Sequence, residues 1–199
     1  MGANIEIDIF LQGNVCLKQI FSILEKEGCA VSIQKFSIFD DWQYTNFKEI
    51  DISSREKYLE DTHLEKFSLT NFTLNNQWEC TLITSLEGGT YRDFSFGFPT
   101  QGLISTLEKA DDEAIEAFYE KVTTMINDTL SRGQCKKNFV AASMGVEYSV
   151  KFNRDILAML QDENGAMKWV LPKEFGISLS LEKFSKEEKS DVIVFTYIY

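Results

Sequence analysis

The chain contains a single histidine, His63, which limits the chemistry that the sequence can support. Zinc-protease motifs and two-histidine carboxylate triads need more than one histidine, so neither can be built within one chain. His63 could act as a lone general base. It lies among Glu60, Asp61 and Glu65, however, a setting typical of an exposed surface side chain. We expect a surface histidine and keep it as a catalytic candidate.

Two adjacent carboxylates, Asp40 and Asp41, follow an apolar run and precede Trp42. Acidic and aromatic residues at the end of a strand can line a polar cleft, where carboxylates act as acid, base or Mg²⁺ ligands. The same residue types are also common in turns. We favour the turn. A carboxylate-dependent enzyme that uses Asp40, Asp41 and His63 is the alternative.

The sequence shows no motif for a nucleotide, a cofactor or a metal. Gly88-Gly89 indicates a hairpin turn rather than a phosphate-binding loop. Ala141–Gly145 has the form A-x-S-x-G, but a strand pattern continues after it, where a nucleophile elbow needs a helix. Wide spacing predicts free thiols and no zinc site for the four cysteines, which are Cys16, Cys29, Cys80 and Cys135. We expect no cofactor and no metal.

The charge balance favours a basic protein as the partner. Thirty-one acidic residues against 20 basic ones give a net charge of −11, which repels nucleic acid and anionic membranes and speeds association with a basic protein. Solubility alone can also explain an acidic surface. Trp42 and Tyr44 are candidate binding residues, together with a carboxylate stripe on one face of a predicted helix: Asp112, Glu113, Glu116 and Glu120.

That stripe has two interpretations. Acidic residues near a helix N-terminus are stabilised by the helix dipole, so a solvated face is sufficient to explain them. A docking stripe for a basic partner is the functional interpretation.

Hydrophobic periodicity predicts an α+β fold, with a mostly antiparallel or mixed sheet and about three helices packed on it. Predicted strands begin near Ile5, Val31, Leu64, Trp78, Asp93 and Phe139. Alternating apolar residues predict a further strand over Phe175–Leu181. Val192–Tyr199 is apolar on both faces and predicts a central or doubly covered strand. The predicted helices follow Asn14, Asp111 and Asn153, and the one from Asp111 to Arg132 is the longest.

The length of 199 residues suits one domain, 1–199, in which 40–75 could be an irregular insertion. The N-terminal segment lacks the basic and apolar regions of a signal peptide, so we expect a cytoplasmic protein.

Size, charge and fold class together favour a non-catalytic protein-binding module. Small acidic α+β proteins of this kind include bacterial immunity proteins, which neutralise a toxin by covering its active site; the likeness is one of size, charge and class. A self-associating structural or assembly protein is a further alternative. It depends on Val192–Tyr199 lying at a sheet edge, where it could pair with a second chain.

Overall fold

The fold is dominated by one large antiparallel sheet. The computed structural model describes residues 4–13, 15–26, 30–60, 67–74, 76, 78–87, 91–99, 117, 120, 124, 138–146, 156–161 and 166–198. Within them, ten strands are hydrogen-bonded in the order β3-β2-β4-β5-β6-β1-β7-β8-β10-β9. The broad α+β prediction is confirmed, with the sheet outweighing the helices.

The strands are β1 Asn4–Gln12, β2 Val31–Phe39, β3 Lys48–Ile50, β4 Phe67–Leu74, β5 Trp78–Glu87, β6 Tyr91–Pro99, β7 Phe139–Val146, β8 Ala166–Pro172, β9 Phe184–Glu188 and β10 Val192–Tyr197. The helices are α1 Leu17–Lys26, α2 Arg55–Glu60, α3 Ile156–Gln161 and α4 Lys173–Gly176. A short 3₁₀ turn, Ile52–Ser54, leads directly into α2.

Alternation along the strands divides the sheet into two faces. The first face carries Ile5 and Ile7 of β1, and its core includes the apolar side of α1 and three buried phenylalanines of β6, Phe94, Phe96 and Phe98. The second face carries Phe10, and its core includes Met159 of α3. The apolar side chains of β1 therefore contribute to the cores on both faces of the sheet.

The β2 strand contains the irregularity that its sequence predicts. Its register against β4 shifts between Ile33 and Lys35. The shift brings Phe36 into the first-face core, although Ile33 and Phe36 are out of phase for a regular strand.

The C-terminal strand β10 is covered on both faces. Val192, Ile193, Val194 and Phe195 are consecutive and all buried. Ile193 and Phe195 lie in the second-face core, whereas Val192 and Val194 lie in the first-face core. The doubly covered strand is confirmed. Because β10 lies between β8 and β9, it is not the edge strand that the self-association hypothesis requires.

The strand predicted over Phe175–Leu181 is wrong. Pro172 ends β8, α4 follows, and the chain then runs through turns to β9. Gly176 packs so closely on β10 that an added Cβ would lie 2.7 Å from the Cβ of Ile193. Phe175 and Ile177 are exposed, while Leu179 and Leu181 pack against the second-face core. The alternation thus reflects a segment lying over the sheet.

The two strands at the ends of the sheet were missed for a common reason. The outermost strands are β3 at one end and β9 at the other, with the sequences Lys-Glu-Ile and Phe-Ser-Lys-Glu-Glu. Edge strands pair on one side only and often carry charged side chains, so they lack the apolar alternation used to find strands.

Residues 40–75 contribute several elements where the structure describes them. They supply β3, α2 and β4 to the sheet and its covering layer. Ala117, Glu120 and Thr124 are helical, and the remainder of the predicted helix 111–132 lies outside the described residues.

Candidate functional site

The connection between β2 and β3 is a tight, hydrogen-bonded turn over residues 40–47, called here the aromatic turn. Asp41 organises it. Its Oδ1 accepts hydrogen bonds from the backbone N–H groups of Gln43 at 2.9 Å and Thr45 at 3.2 Å, and its Oδ2 accepts one from the Thr45 hydroxyl at 2.7 Å. The Tyr44 N–H donates to the Asp41 carbonyl at 2.9 Å. The favoured interpretation of Asp41 as a turn residue is confirmed.

Asp40 closes the same turn from the β2 side. Its N–H donates to the Thr45 carbonyl at 3.0 Å, and its Oδ2 accepts from the Asn46 side-chain amide at 2.6 Å. Both carboxylates named as catalytic candidates thus bind groups of their own turn.

Two non-glycine residues of the aromatic turn have left-handed backbone conformations. Tyr44 has φ 58° and Asn46 has φ 52°. Asn tolerates this region, but a bulky aromatic residue there is uncommon and costs about 1–3 kcal/mol. Such conformations persist where surrounding contacts hold them, and they cluster at functional sites.

The contacts that hold Tyr44 come from an aromatic cluster centred on Phe39. The Phe39 ring is buried and lies 4.6 Å from the Tyr44 centroid, 6.3 Å from Phe47 and 5.5 Å from Phe67. Trp42 meets the other side of the cluster, edge-on to Phe67 at 5.0 Å. Phe39 and Phe67 are register partners on the second face of the sheet, so the sheet itself supports the turn.

Three rings of this cluster also face solvent. Trp42, Tyr44 and Phe47 retain 49%, 43% and 50% of their exposure. Each of these side chains is therefore about half covered by the cluster and half exposed. Large aromatic side chains held rigidly at a surface dominate the energetics of protein interfaces.

Acidic residues outnumber basic ones in the aromatic turn and in the segment that follows it. Residues 40–60 contain six carboxylates, Asp40, Asp41, Glu49, Asp51, Glu56 and Glu60, against the three basic residues Lys48, Arg55 and Lys57. The hydrogen bonds from the hydroxyl and then the N–H of Thr45 lower the pKa of Asp41. Those from Ser53 likewise lower the pKa of Asp51. These carboxylates therefore stay ionised at neutral pH.

Of the remaining site residues predicted from the sequence, the structure describes Glu120 alone. His63, Asp112, Glu113 and Glu116 lie outside the described residues. Glu120 binds within the chain: its Oε1 accepts from Lys168 at 3.2 Å and its Oε2 from Lys189 at 2.8 Å. These two lysines lower the pKa of Glu120, with Lys189 contributing first and burial opposing the effect.

Sequence reasoning missed Phe47 as a member of the site. Its spacing from Trp42 and Tyr44 fits no regular period, since the turn and the rings of Phe39 and Phe67 bring the three side chains together. It also missed four buried charged residues, Asp8, Arg92, Asp93 and Lys168, which occupy strand positions. A polar residue at a strand position predicts exposure unless both faces of the sheet are covered.

Two further kinds of feature are metal sites and membrane-spanning helices. In the part of the chain that the structure describes, no group of three or more His, Cys, Asp and Glu side chains is placed to hold a metal ion. Across the same ranges, no helix has the length and apolar character to cross a bilayer.

Comparison with known proteins found no matching family model, no matching curated protein and no matching solved structure.

Proposed function

We propose that the protein is a non-catalytic protein-binding module that docks a basic partner protein through its aromatic turn, as bacterial immunity proteins cover their toxins. The observation that carries the proposal is the set of three half-exposed rings, Trp42, Tyr44 and Phe47, on one hydrogen-bonded turn. Such rings gain more on binding than flexible side chains do, because little conformational entropy remains to be lost.

The architecture of the aromatic turn supports binding over catalysis. Its carboxylates, Asp40 and Asp41, accept hydrogen bonds from turn residues, which fixes the loop. A catalytic carboxylate needs to be in reach of a reacting group. Stacking on the buried Phe39 ring explains why Tyr44 and Phe47 are half covered, and leaves their outer sides available to a partner.

The charge of the chain supports a basic partner. The net charge of −11 is accompanied by two carboxylates, Asp40 and Asp41, within the turn that holds the exposed rings. An apolar centre with a charged rim is the usual composition of a protein interface. Complementary charge at the rim accelerates association and makes it sensitive to salt.

A basic protein encoded in a neighbouring gene would be the partner to test. We expect the double variant Trp42→Ala/Tyr44→Ala to weaken the complex by about 30-fold or more, as the loss of an aromatic hot spot does. Isothermal titration calorimetry at about 0.05 M and about 0.5 M salt measures both the affinity and its salt dependence.

Phe175→Ala is the matched control, because Phe175 is equally exposed but follows β8 and lies outside the aromatic turn. It should bind as the native protein does. The proposal fails if the neighbouring gene encodes no basic protein, if no salt-sensitive complex forms, or if the double variant folds and binds with unchanged affinity.

A further inference from the structure

We infer that the aromatic turn binds an arginine side chain of the partner, held against the exposed faces of Tyr44 and Phe47 with the nearby carboxylates neutralising its charge. This inference rests on the proposed function and names the group that the site recognises. The relevant interactions are those between a cation and the electron-rich face of an aromatic ring.

The rings of Tyr44 and Phe47 are held in a fixed relative arrangement. The centroids of Tyr44 and Phe47 lie 6.4 Å apart, and their planes are inclined by 53°. Both rings rest on Phe39, which fixes their spacing and tilt. Two inclined ring faces that solvent can reach offer contacts to a flat guanidinium group, which stacks on aromatic faces more readily than an ammonium does.

The chain contains an internal example of the same interaction. Lys186 Nζ lies 5.8 Å from the centroid of Phe195 and donates to the carbonyls of Ile177 and Leu179. It is the one cation–ring contact found among the residues that the structure describes. Tyr44 and Phe47 are 43% and 50% exposed, so part of each side chain is accessible to a cation from a partner.

Carboxylates in and after the aromatic turn favour a cation as its ligand. Asp40 and Asp41 belong to the turn itself, and Glu49 follows on the edge strand β3. The oxygens of Asp41 are fixed by hydrogen bonds from Gln43 and Thr45, so its charge stays beside the rings instead of moving with a flexible side chain. An arginine at this position would meet both ring faces and negative charge, whereas a neutral side chain of the same shape would meet the rings alone.

Synthetic peptides test this directly. Titration of the ¹⁵N-labelled protein with an alternating arginine–glycine peptide should shift the Trp42 indole resonance and the amides of 43–47. The citrulline counterpart keeps a planar group of nearly the same shape but lacks the charge, because a carbonyl oxygen replaces one NH₂ group of the guanidinium. We expect it to bind roughly threefold to thirtyfold more weakly. The lysine counterpart should lie between them.

Ring-face variants separate stacking from simple attraction between opposite charges. Tyr44→Leu/Phe47→Leu keeps an apolar surface and all the carboxylates, and it should lose the preference for arginine over lysine. Tyr44→Phe should retain that preference, and the distant Phe175→Leu should behave as the native protein does. Equal binding of the arginine and citrulline peptides, or an arginine preference that survives in the double leucine variant, would overturn the inference.

The two proposals fail in different ways. If the partner protein loses affinity for Trp42→Ala/Tyr44→Ala but the peptides show no arginine preference, the docking site is supported and the arginine inference is rejected. If the partner binds the alanine variant unchanged, the docking site itself falls, whatever the peptides show.

Discussion

At the scale of single residues, the structure separates carboxylates that organise a turn from a carboxylate that joins distant elements. Asp41 binds groups two and four residues away in sequence. Glu120, a helical residue, instead forms ion pairs with two distant elements. It binds Lys168 of β8 and Lys189 of the β9–β10 connection. Lys168 is only 3% exposed, so the Glu120 carboxylate stabilises a positive charge that is almost removed from water.

We expect Glu120→Gln to lower the free energy of unfolding at neutral pH by about 1 kcal/mol, less than the cost of breaking a fully buried pair, because Glu120 itself is 44% exposed. Urea unfolding measures the change. The contribution of Glu120 should be complete above the pKa of an unfolded glutamate, about 4.3. Since folding lowers that pKa, the contribution should disappear as the pH falls through the lower folded value.

Glu187→Gln is the control for this prediction. The Glu187 carboxylate lies 3.8 Å from the same Lys189 but is 64% exposed. Its removal should change stability by less than about 0.5 kcal/mol. A difference between native protein and Glu120→Gln that stays constant down to acid pH would contradict the ionic explanation.

At the scale of elements, the C-terminal layer depends on how closely the segment after β8 approaches β10. The helix α4 begins directly after Pro172, and its Gly176 is buried against Ile193. Lys186 fixes the following residues by donating to the carbonyls of Ile177 and Leu179. This close approach explains why an alternating apolar segment covers the sheet in place of joining it.

Gly176→Ala should destabilise the protein by about 1–3 kcal/mol, the usual cost of overpacking a core. The added Cβ would lie 2.8 Å from Cγ1 of Ile193 and 2.7 Å from its Cβ, an atom that cannot move without shifting β10. Thermal unfolding of the two proteins measures the loss.

The matched substitution is Gly97→Ala in β6, where the added Cβ would lie 2.6 Å from Oγ1 of Thr81. Thr81 is exposed and its side chain can rotate away, so the cost there should be smaller. If Gly97→Ala proves the more harmful of the two, the assignment of close packing at Gly176 is wrong.

At the scale of the whole molecule, the sheet ends in two short strands with charged side chains. The outermost strands are β3, with three residues, and β9, with five. Short charged edges resist pairing with a second chain. The apolar strand β10, which motivated the self-association hypothesis, is separated from the edge by β9. The described architecture therefore supports the binding proposal more than polymerisation through β10.

Removing edge charge should promote association. In Glu187→Val, a β-branched apolar residue replaces the carboxylate of the fourth residue of β9, opposite Val194. We expect light scattering to show concentration-dependent association of this variant where the native protein stays monodisperse. Glu56→Val makes the same substitution at an exposed position of α2 and should have no such effect. Equal behaviour of the two variants would show that the edge charge is not protective.

Local patterns in the sequence determined much of this protein. Alternation was enough to identify β1, β2 with its bulge and the β5–β6 pair, because side-chain period follows directly from backbone geometry. A continuous apolar run identified the doubly covered β10. Residue chemistry was enough to expect a turn at Asp40 and Asp41, whose side chains bind nearby backbone groups.

Only the tertiary structure decided the order of the ten strands, the polar edge strands and the path of 175–181, since each depends on partners far away in sequence. The same holds for the candidate site. Trp42 and Tyr44 were visible as aromatic residues, but their grouping with Phe47 depends on the buried ring of Phe39 and on Phe67 of another strand. A surface formed by residues with no common period is determined by folding, because packing and left-handed backbone geometry bring its members together.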